Sequence, residues 1–340
     1  MKINMKAFGI ILLVVVTAFP ATGQNGKVEQ SLRRGSPRAA LNQWWTTVPH
    51  YRFGLGTTSV GFSPALVQSD GTDLWVPDFS GKVLRVRSSD GRVLETWTGA
   101  TNALAPLVAM GRVFVTAQFI PGRLYMIDPA QGTGNVTTVA DPLGDQPVGI
   151  AFDGRRIWTS NFGDGVKPGS VSIVTPGPTI PWSVTTIHTG FNRPWGILYD
   201  GSNIWVTDQG DNTLKKLDDE GQVIQSVPVG ELPFHPIYDG FNIWVPSAGS
   251  NRVTVIKASS GEVLAKLKGN GLNAPAVAAF DGQRVLVTNG PGHSVSLWRA
   301  SDFSPLGSFS TGPNSNPFGV CSDGINFWIV LQVPNQLARY

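Results

Sequence analysis

Asp200-Gly201-Ser202-Asn203-Ile204-Trp205-Val206-Thr207-Asp208 follows the apolar run Pro194-Trp-Gly-Ile-Leu-Tyr199 and precedes the polar turn Gln209-Gly-Asp-Asn212. An Asp-Gly pair between two apolar runs marks a tight hairpin, because glycine readily takes the positive φ that a primed turn needs. The runs on either side are rich in β-branched and aromatic residues, which favours strands. Thr213-Leu-Lys-Lys-Leu217 and, beyond Glu220-Gly221, Val223-Ile-Gln-Ser-Val-Pro-Val229 supply two more. The stretch predicts four antiparallel strands in about 42 residues, the unit of a β-propeller blade.

The same phrase returns at Asp70, Asp153, Asp239, Asp281 and Asp323, with a degenerate copy at Met110. Successive anchors from Asp70 to Asp323 lie 40, 43, 47, 39, 42 and 42 residues apart. Asp-Gly holds in six of the seven copies and Trp in five, too regular for chance. The fold class is therefore all-β: a seven-bladed β-propeller of four-stranded antiparallel blades. Runs such as Ile-Trp-Val place apolar side chains on both faces of a strand, as a sheet wedged between neighbouring sheets requires. After Asp323-Gly324 only two strands fit, Phe327–Leu331 and Gln336–Arg339, so the last blade lacks its fourth. Leu41-Asn-Gln-Trp-Trp-Thr-Thr-Val48, ahead of an opening strand at Gly61–Ser69, is expected to supply it and close the ring, leaving no open sheet edge.

Only 14% of the residues are charged, and 41% are hydrophobic, which gives a chain that buries a large core rather than a solvated disordered one. The net charge of +3 falls to +1 without Lys2 and Lys6, and no Lys/Arg run is longer than a pair such as Arg33-Arg34, so neither nucleic acid nor an anionic membrane is an expected partner. Met1–Lys6 is short and basic, Ala7–Phe19 is apolar, and Ala21-Thr22-Gly23 carries small residues before Gln24. Those are the three parts of a secretory signal peptide, residues 1–23. Its 13 apolar residues are fewer than the roughly 20 that span a bilayer, and no later segment is long enough. Residues 24–40 read as a flexible linker, and 41–340 as the propeller. The expected location is secreted or periplasmic, and the expected state a monomer. Cys321 is the only cysteine, so no intrachain disulfide is possible, and it reads as a buried structural thiol.

The pattern Pro-x-Gly-Ile-x-x-Asp-Gly-x-x-Ile-Trp-Val-Thr-Asp resembles the NHL, YncE-like (YVTN) and virginiamycin B lyase-like propeller repeats over roughly 280 residues. It lacks the paired Gly-His and Trp-Asp signature of WD40 repeats. The resemblance implies the fold; it does not select one member's activity. The lyase-like enzymes use a metal ion with Glu and His residues in the last blades. Past the signal segment the glutamates are Glu29, Glu95, Glu220, Glu231 and Glu262, and only Glu231, beside His235, reaches the candidate mouth. A two-glutamate site is not matched.

In a propeller, loops from the fourth strand of one blade to the first of the next share a face with the second-to-third strand loops. That face is rich in Asn, Asp, Gly and aromatic rings and poor in charge. Its candidate ligand-binding residues are Asn161, Trp195, Asp208, Phe234, His235, Asn289, His293 and Phe318. Rings there suit stacking on a sugar or a peptide, so the expected function is an exported binding module for a protein, peptide or glycan. The alternative is a divalent-metal-dependent lactonase or virginiamycin B lyase-like enzyme. Asp78, Asn161, Asp208 and Asn289 recur at the ends of second strands and offer hard oxygen ligands for calcium or magnesium. No cofactor is otherwise expected. The chain has no Gly-x-Ser-x-Gly nucleophile elbow, and its Gly-rich turns precede no helix, which removes two further enzyme classes.

Overall fold

The computed structural model describes residues 56–340. Seven four-stranded antiparallel sheets follow one another along the chain. Blade 4 runs Pro194–Tyr199, Ile204–Asp208, Thr213–Leu217 and Val223–Pro228, from the inner strand outwards. The degenerate copy at Met110 is a complete blade, Ala103–Ala109 through Thr137–Ala140. Its turn is one residue shorter than the others, so Phe114, two positions before Thr116, takes the place of the tryptophan. Among the described residues there is no α-helix, and none is long and apolar enough to cross a membrane.

An N-terminal strand closes the ring, but not with the residues expected. The outer strand of blade 7 is Gly56–Ser59, paired antiparallel with Gln336–Arg339 from Gly56↔Arg339 to Ser59↔Gln336. The expected segment, Leu41–Val48, lies outside the described residues. The shift follows from the opening strand, which is also shorter than Gly61–Ser69. Pro64 meets Asp78 in a lone bridge, and regular pairing covers only Gln68–Ser69. A short link from Ser59 therefore reaches blade 1.

Second strands are buried along their length in blades 1, 3, 4 and 7, as sheets covered on both faces must be. Outer strands alternate, as in Val263–Leu267. Cys321 is buried in the inner strand of blade 7, where desolvation and the Asp323 charge push its thiol up and keep it protonated.

The structure gives the repeated Asp and Trp one shared purpose. In blade 4 the indole Nε1–H of Trp205 donates to Asp200 Oδ2 at 2.7 Å, while Oδ1 accepts the N–H groups of Ser202 and Asn203. Asp70–Trp75, Asp153–Trp158, Asp239–Trp244 and Asp323–Trp328 repeat the bond at 2.7–2.9 Å. Burial pushes the Asp70 carboxyl up, yet the N–H of Asp73, the Trp75 indole and the N–H of Thr72 outweigh it and hold it below the ordinary range. Where Leu286 replaces Trp, Asp281 takes Arg284 Nε at 2.8 Å instead. Trp205→Phe keeps the apolar wedge but leaves Asp200 Oδ2 without its donor. It will cost about 1–3 kcal/mol, read as a lower urea midpoint at unchanged slope.

Candidate functional site

The site is built where the inner strands begin. In every blade one residue at that end faces the last residue of the second strand or, in blade 1, the residue directly after it. The pairs are Pro64↔Asp78, Ala103↔Ala117, Pro147↔Asn161, Pro194↔Asp208, Pro233↔Ser247, Pro275↔Asn289 and Pro317↔Leu331. The next residue in each blade is Ala65, Leu104, Val148, Trp195, Phe234, Ala276 and Phe318. All seven pack into one apolar cluster. A cluster that draws a side chain from every blade lies on the axis of the ring.

One position further on, blades 3, 4 and 7 carry glycine (Gly149, Gly196 and Gly319) for a steric reason. A Cβ on Gly196 would stand 2.7 Å from Phe234 O and 2.8 Å from His235 Cα; one on Gly319 would stand 2.3 Å from Ala65 O. At Gly319 the close approach is tied by its own N–H, which donates to Ala65 O at 3.0 Å, and at Gly196 by a hydroxyl of the second strand. Thr207 Oγ1 accepts the Gly196 N–H at 2.8 Å and donates to Phe234 O at 2.8 Å. Thr288 does the same for Val277 and Phe318. Blades 1, 2 and 6 carry Leu66, Ala105 and Val277 at this position; blade 5 carries His235, and its inner strand shrinks to Ile237–Tyr238.

The large rings meet across the mouth. Trp195 sits edge-on to Phe162 at 5.2 Å and to Phe234 at 5.1 Å, and Phe234 reaches Phe318 at 6.2 Å between centroids. His235 lies 6.3 Å from both Trp195 and Phe318. The small side chains of Ala65 and Ala276, on either side of blade 7, leave room for this contact. All five rings are only partly buried. Sequence reasoning brought together Trp195, Phe234, His235 and Phe318 but missed Phe162, and with it Phe79, which packs on the same cluster. Both phenylalanines directly follow the Asn or Asp that ends a second strand, and that shared position is the signal that could have found them.

Trp195 Nε1 donates to His235 Nε2 at 3.0 Å, which places the neutral ring's proton on Nδ1. The surrounding apolar matter pushes His235 down from 6.5 to about 4. Folding thus favours the neutral ring, and the unfolded chain binds the extra proton between those values. This contribution is complete above pH 6.5 and is lost as pH falls toward 4, by at most about 3 kcal/mol. Unfolding midpoints measured between pH 4 and 7 will fall in acid for the native chain, and His235→Phe will flatten that part of the profile.

The other candidates do not face the mouth as free groups. Asp208 accepts N–H bonds from Asn192, Arg193, Gly210 and Asp211 at 2.8–3.3 Å and an ammonium bond from Lys215 at 2.8 Å. Asn161 accepts from Thr159 and donates to Ser170 and Ser172; Asn289 accepts the Asn273 N–H and donates to Ser294 and Ser296. Asp78 accepts from the Phe62 N–H, the Ser80 hydroxyl and the Lys82 N–H. All four are fully buried and tie the end of a second strand to its neighbouring loops. Calcium or magnesium would have to displace these bonds, so this donor set does not fit a cation. The described residues hold no group of three or more His, Cys, Asp or Glu side chains placed to bind a metal ion. His293, in a turn at φ 48°, accepts the Asn316 N–H on Nδ1 and links blades 6 and 7.

No protein-family model matches this sequence, and no curated protein matches it. Solved structures do resemble the fold. A streptogramin B lyase superposes with a TM-score of 0.68 at 17% identity, over 84% of this chain and 96% of the lyase. Virginiamycin B lyase from Staphylococcus aureus gives 0.68 at 16%, over 84% and 98%. The WD40 β-propeller domain of Doa1 gives 0.68 at 13%, over 84% and 95%. At such identities the likeness shows the fold alone.

Proposed function

We propose that this chain is an exported binding module, working as a monomer, that takes a peptide segment of a protein partner on the face where its inner strands begin. Lyases and a WD40 domain share the fold, so the fold does not choose between catalysis and binding; the face must. The observation that carries the reading is the set of rings, Phe162, Trp195, Phe234, His235 and Phe318, that meet at the mouth and keep accessible surface. Around them Phe62, Ile120, Val166, Leu232 and Val333 project from loops of the same face, each 47–90% exposed. An apolar floor with an apolar rim suits alternate side chains of an extended peptide, and aromatic anchors at the centre of such a patch carry most of the affinity. Export rests on the N-terminal sequence.

The test is a random-peptide library panned on the intact chain, with affinities of the enriched peptides measured by calorimetry. The expected peptides share apolar residues at alternate positions and compete with one another. Failure to enrich any peptide would contradict the reading. A glycan bound through the same rings would replace the peptide with a sugar.

A further inference from the structure

On the opposite face, where the Asp-Gly turns lie, a cavity of about 550 Å³ opens between blades 4 and 5. Blade 4 lines it with Asp200, Asn203 and Lys216, and blade 5 with Tyr238, Phe241 and Lys257. The repeats allow this cavity to be compared, position by position, with blade 1. Arg85 faces Trp75 across the ladder, as Lys216 faces Trp205. Both cations lie over the indole they face, at 5.6 Å and 5.2 Å.

Their partners differ. Arg85 is neutralised by Asp73 at 2.7 Å and Glu95 at 2.9 Å. Asp73 stands three residues after the repeat's Asp70, and the equivalent residue after Asp200 is Asn203. Glu95 faces Arg85 across the ladder, and Gln225 faces Lys216. Blade 4 thus keeps the cation and carries an amide at each position where blade 1 has a carboxylate. The acid in the cavity does not compensate. Asp200 turns Oδ1 to the N–H groups of Ser202 and Asn203 and Oδ2 to the Trp205 indole. Among the described residues neither Lys216 nor Lys257 pairs with a carboxylate.

The cavity also stays open for a reason that the repeat makes visible. In blade 3 the residue three after the repeat's Asp is Arg156, whose guanidinium crosses to Asp219 O of blade 4 at 2.7 Å and lies 5.0 Å over Trp158. In blade 6 it is Arg284, over Phe327 of blade 7. Asn203 is too short to cross and donates instead to Leu217 O of its own blade. Phe241 and Leu264, 66% and 40% exposed, add apolar surface to the cavity wall.

We propose that this cleft is a second binding site, for a small molecule carrying a carboxylate on a ring: the carboxylate takes the place of the two acids that blade 4 lacks, against Lys216 and Lys257, and the ring lies on Phe241 and Leu264. A cavity of this size holds such a ligand, and two unpaired ammonium groups favour an anion in proportion to low salt. The site is independent of the peptide-binding face.

The probes are benzoate and D-glucuronate, each beside its neutral counterpart, benzyl alcohol and D-glucose, titrated into the ¹⁵N-labelled chain and followed by amide chemical shifts. At least one acid is expected to shift residues 200–203, 216 and 238–242 saturably, and its neutral counterpart to bind about tenfold more weakly or not at all. Which acid binds separates an aromatic ring from a sugar ring. Asn203→Asp/Gln225→Glu rebuilds the internal carboxylates with side chains of the same shape and is expected to weaken binding at least tenfold. Lys216→Met is expected to do the same by the opposite change. Neither variant touches the mouth rings. No saturable shift at about 20 mM, or equal binding by the native chain and both variants, would overturn the proposal.

Discussion

Lys215→Met will lower the unfolding free energy by about 3–5 kcal/mol, the cost of leaving a buried charge without its partner. Lys215 lies in the third strand of blade 4 with its side chain 6% exposed, next to an Asp208 side chain that is fully buried. Its ammonium donates to Gly190 O at 2.7 Å and Asp208 at 2.8 Å, closes on Asp211, and lies 5.7 Å over Phe191. The Asp211 carboxyl is held low, first by that Lys215 bond, against a smaller push from burial and with help from Asn192. Methionine keeps the apolar stem and removes only the charge and its three bonds. Blades 3 and 6 fill the same place neutrally, with Asn161 against Ser172 and Asn289 against Ser296. Asp208→Asn/Lys215→Ser copies that arrangement and will recover most of the loss. Urea unfolding of the native chain, Lys215→Met and the double variant measures all three. A loss below about 1 kcal/mol for Lys215→Met would mean that the four N–H donors on Asp208 suffice without the cation.

The second large effect concerns the mouth. Trp195→Ala/Phe318→Ala will weaken the enriched peptides at least 100-fold, the scale of two central aromatic anchors at about 1.4 kcal/mol or more each. The two rings come from blades 4 and 7 and are bridged by Phe234 and His235, so removing both opens the floor rather than one corner of it. Stability will change less than at a fully buried position, because both rings keep accessible surface. A rim variant, Val166→Ser, will change affinity several-fold at most, since rim contacts exclude water more than they bind. Calorimetry with one peptide against the three proteins separates these outcomes.

Much of the architecture was legible because the chain states its blade seven times. The Asp-Gly turn, the strand pattern and the missing fourth strand of the last blade are each local or periodic signals. What could not be read was which segment closes the ring, since Gly56–Ser59 offers no apolar pattern and is placed by its ladder with Gln336–Arg339. At the site, the rings after the opening prolines were visible as repeat positions. The recurrent Asp and Asn at the ends of the second strands were visible too, but not their roles. Whether a buried oxygen is free depends on donors such as the Asn192 N–H or the Ser80 hydroxyl, which only the folded loops bring to it. The same limit hid the cleft between blades 4 and 5. The replacement of Asp73 by Asn203 and of Glu95 by Gln225 can be read in the repeats, but only once the ladders show that both residues face one cation.

Amide hydrogen exchange of the intact chain, with and without its tightest peptide, shows which face of the propeller the peptide covers. Exchange is expected to slow in the loops that carry the rings, residues 161–169, 190–196, 229–236 and 312–319, with the Asp-Gly turns of the opposite face unchanged. Protection confined to those turns, or absent from the ring-bearing loops, would contradict peptide binding at the mouth.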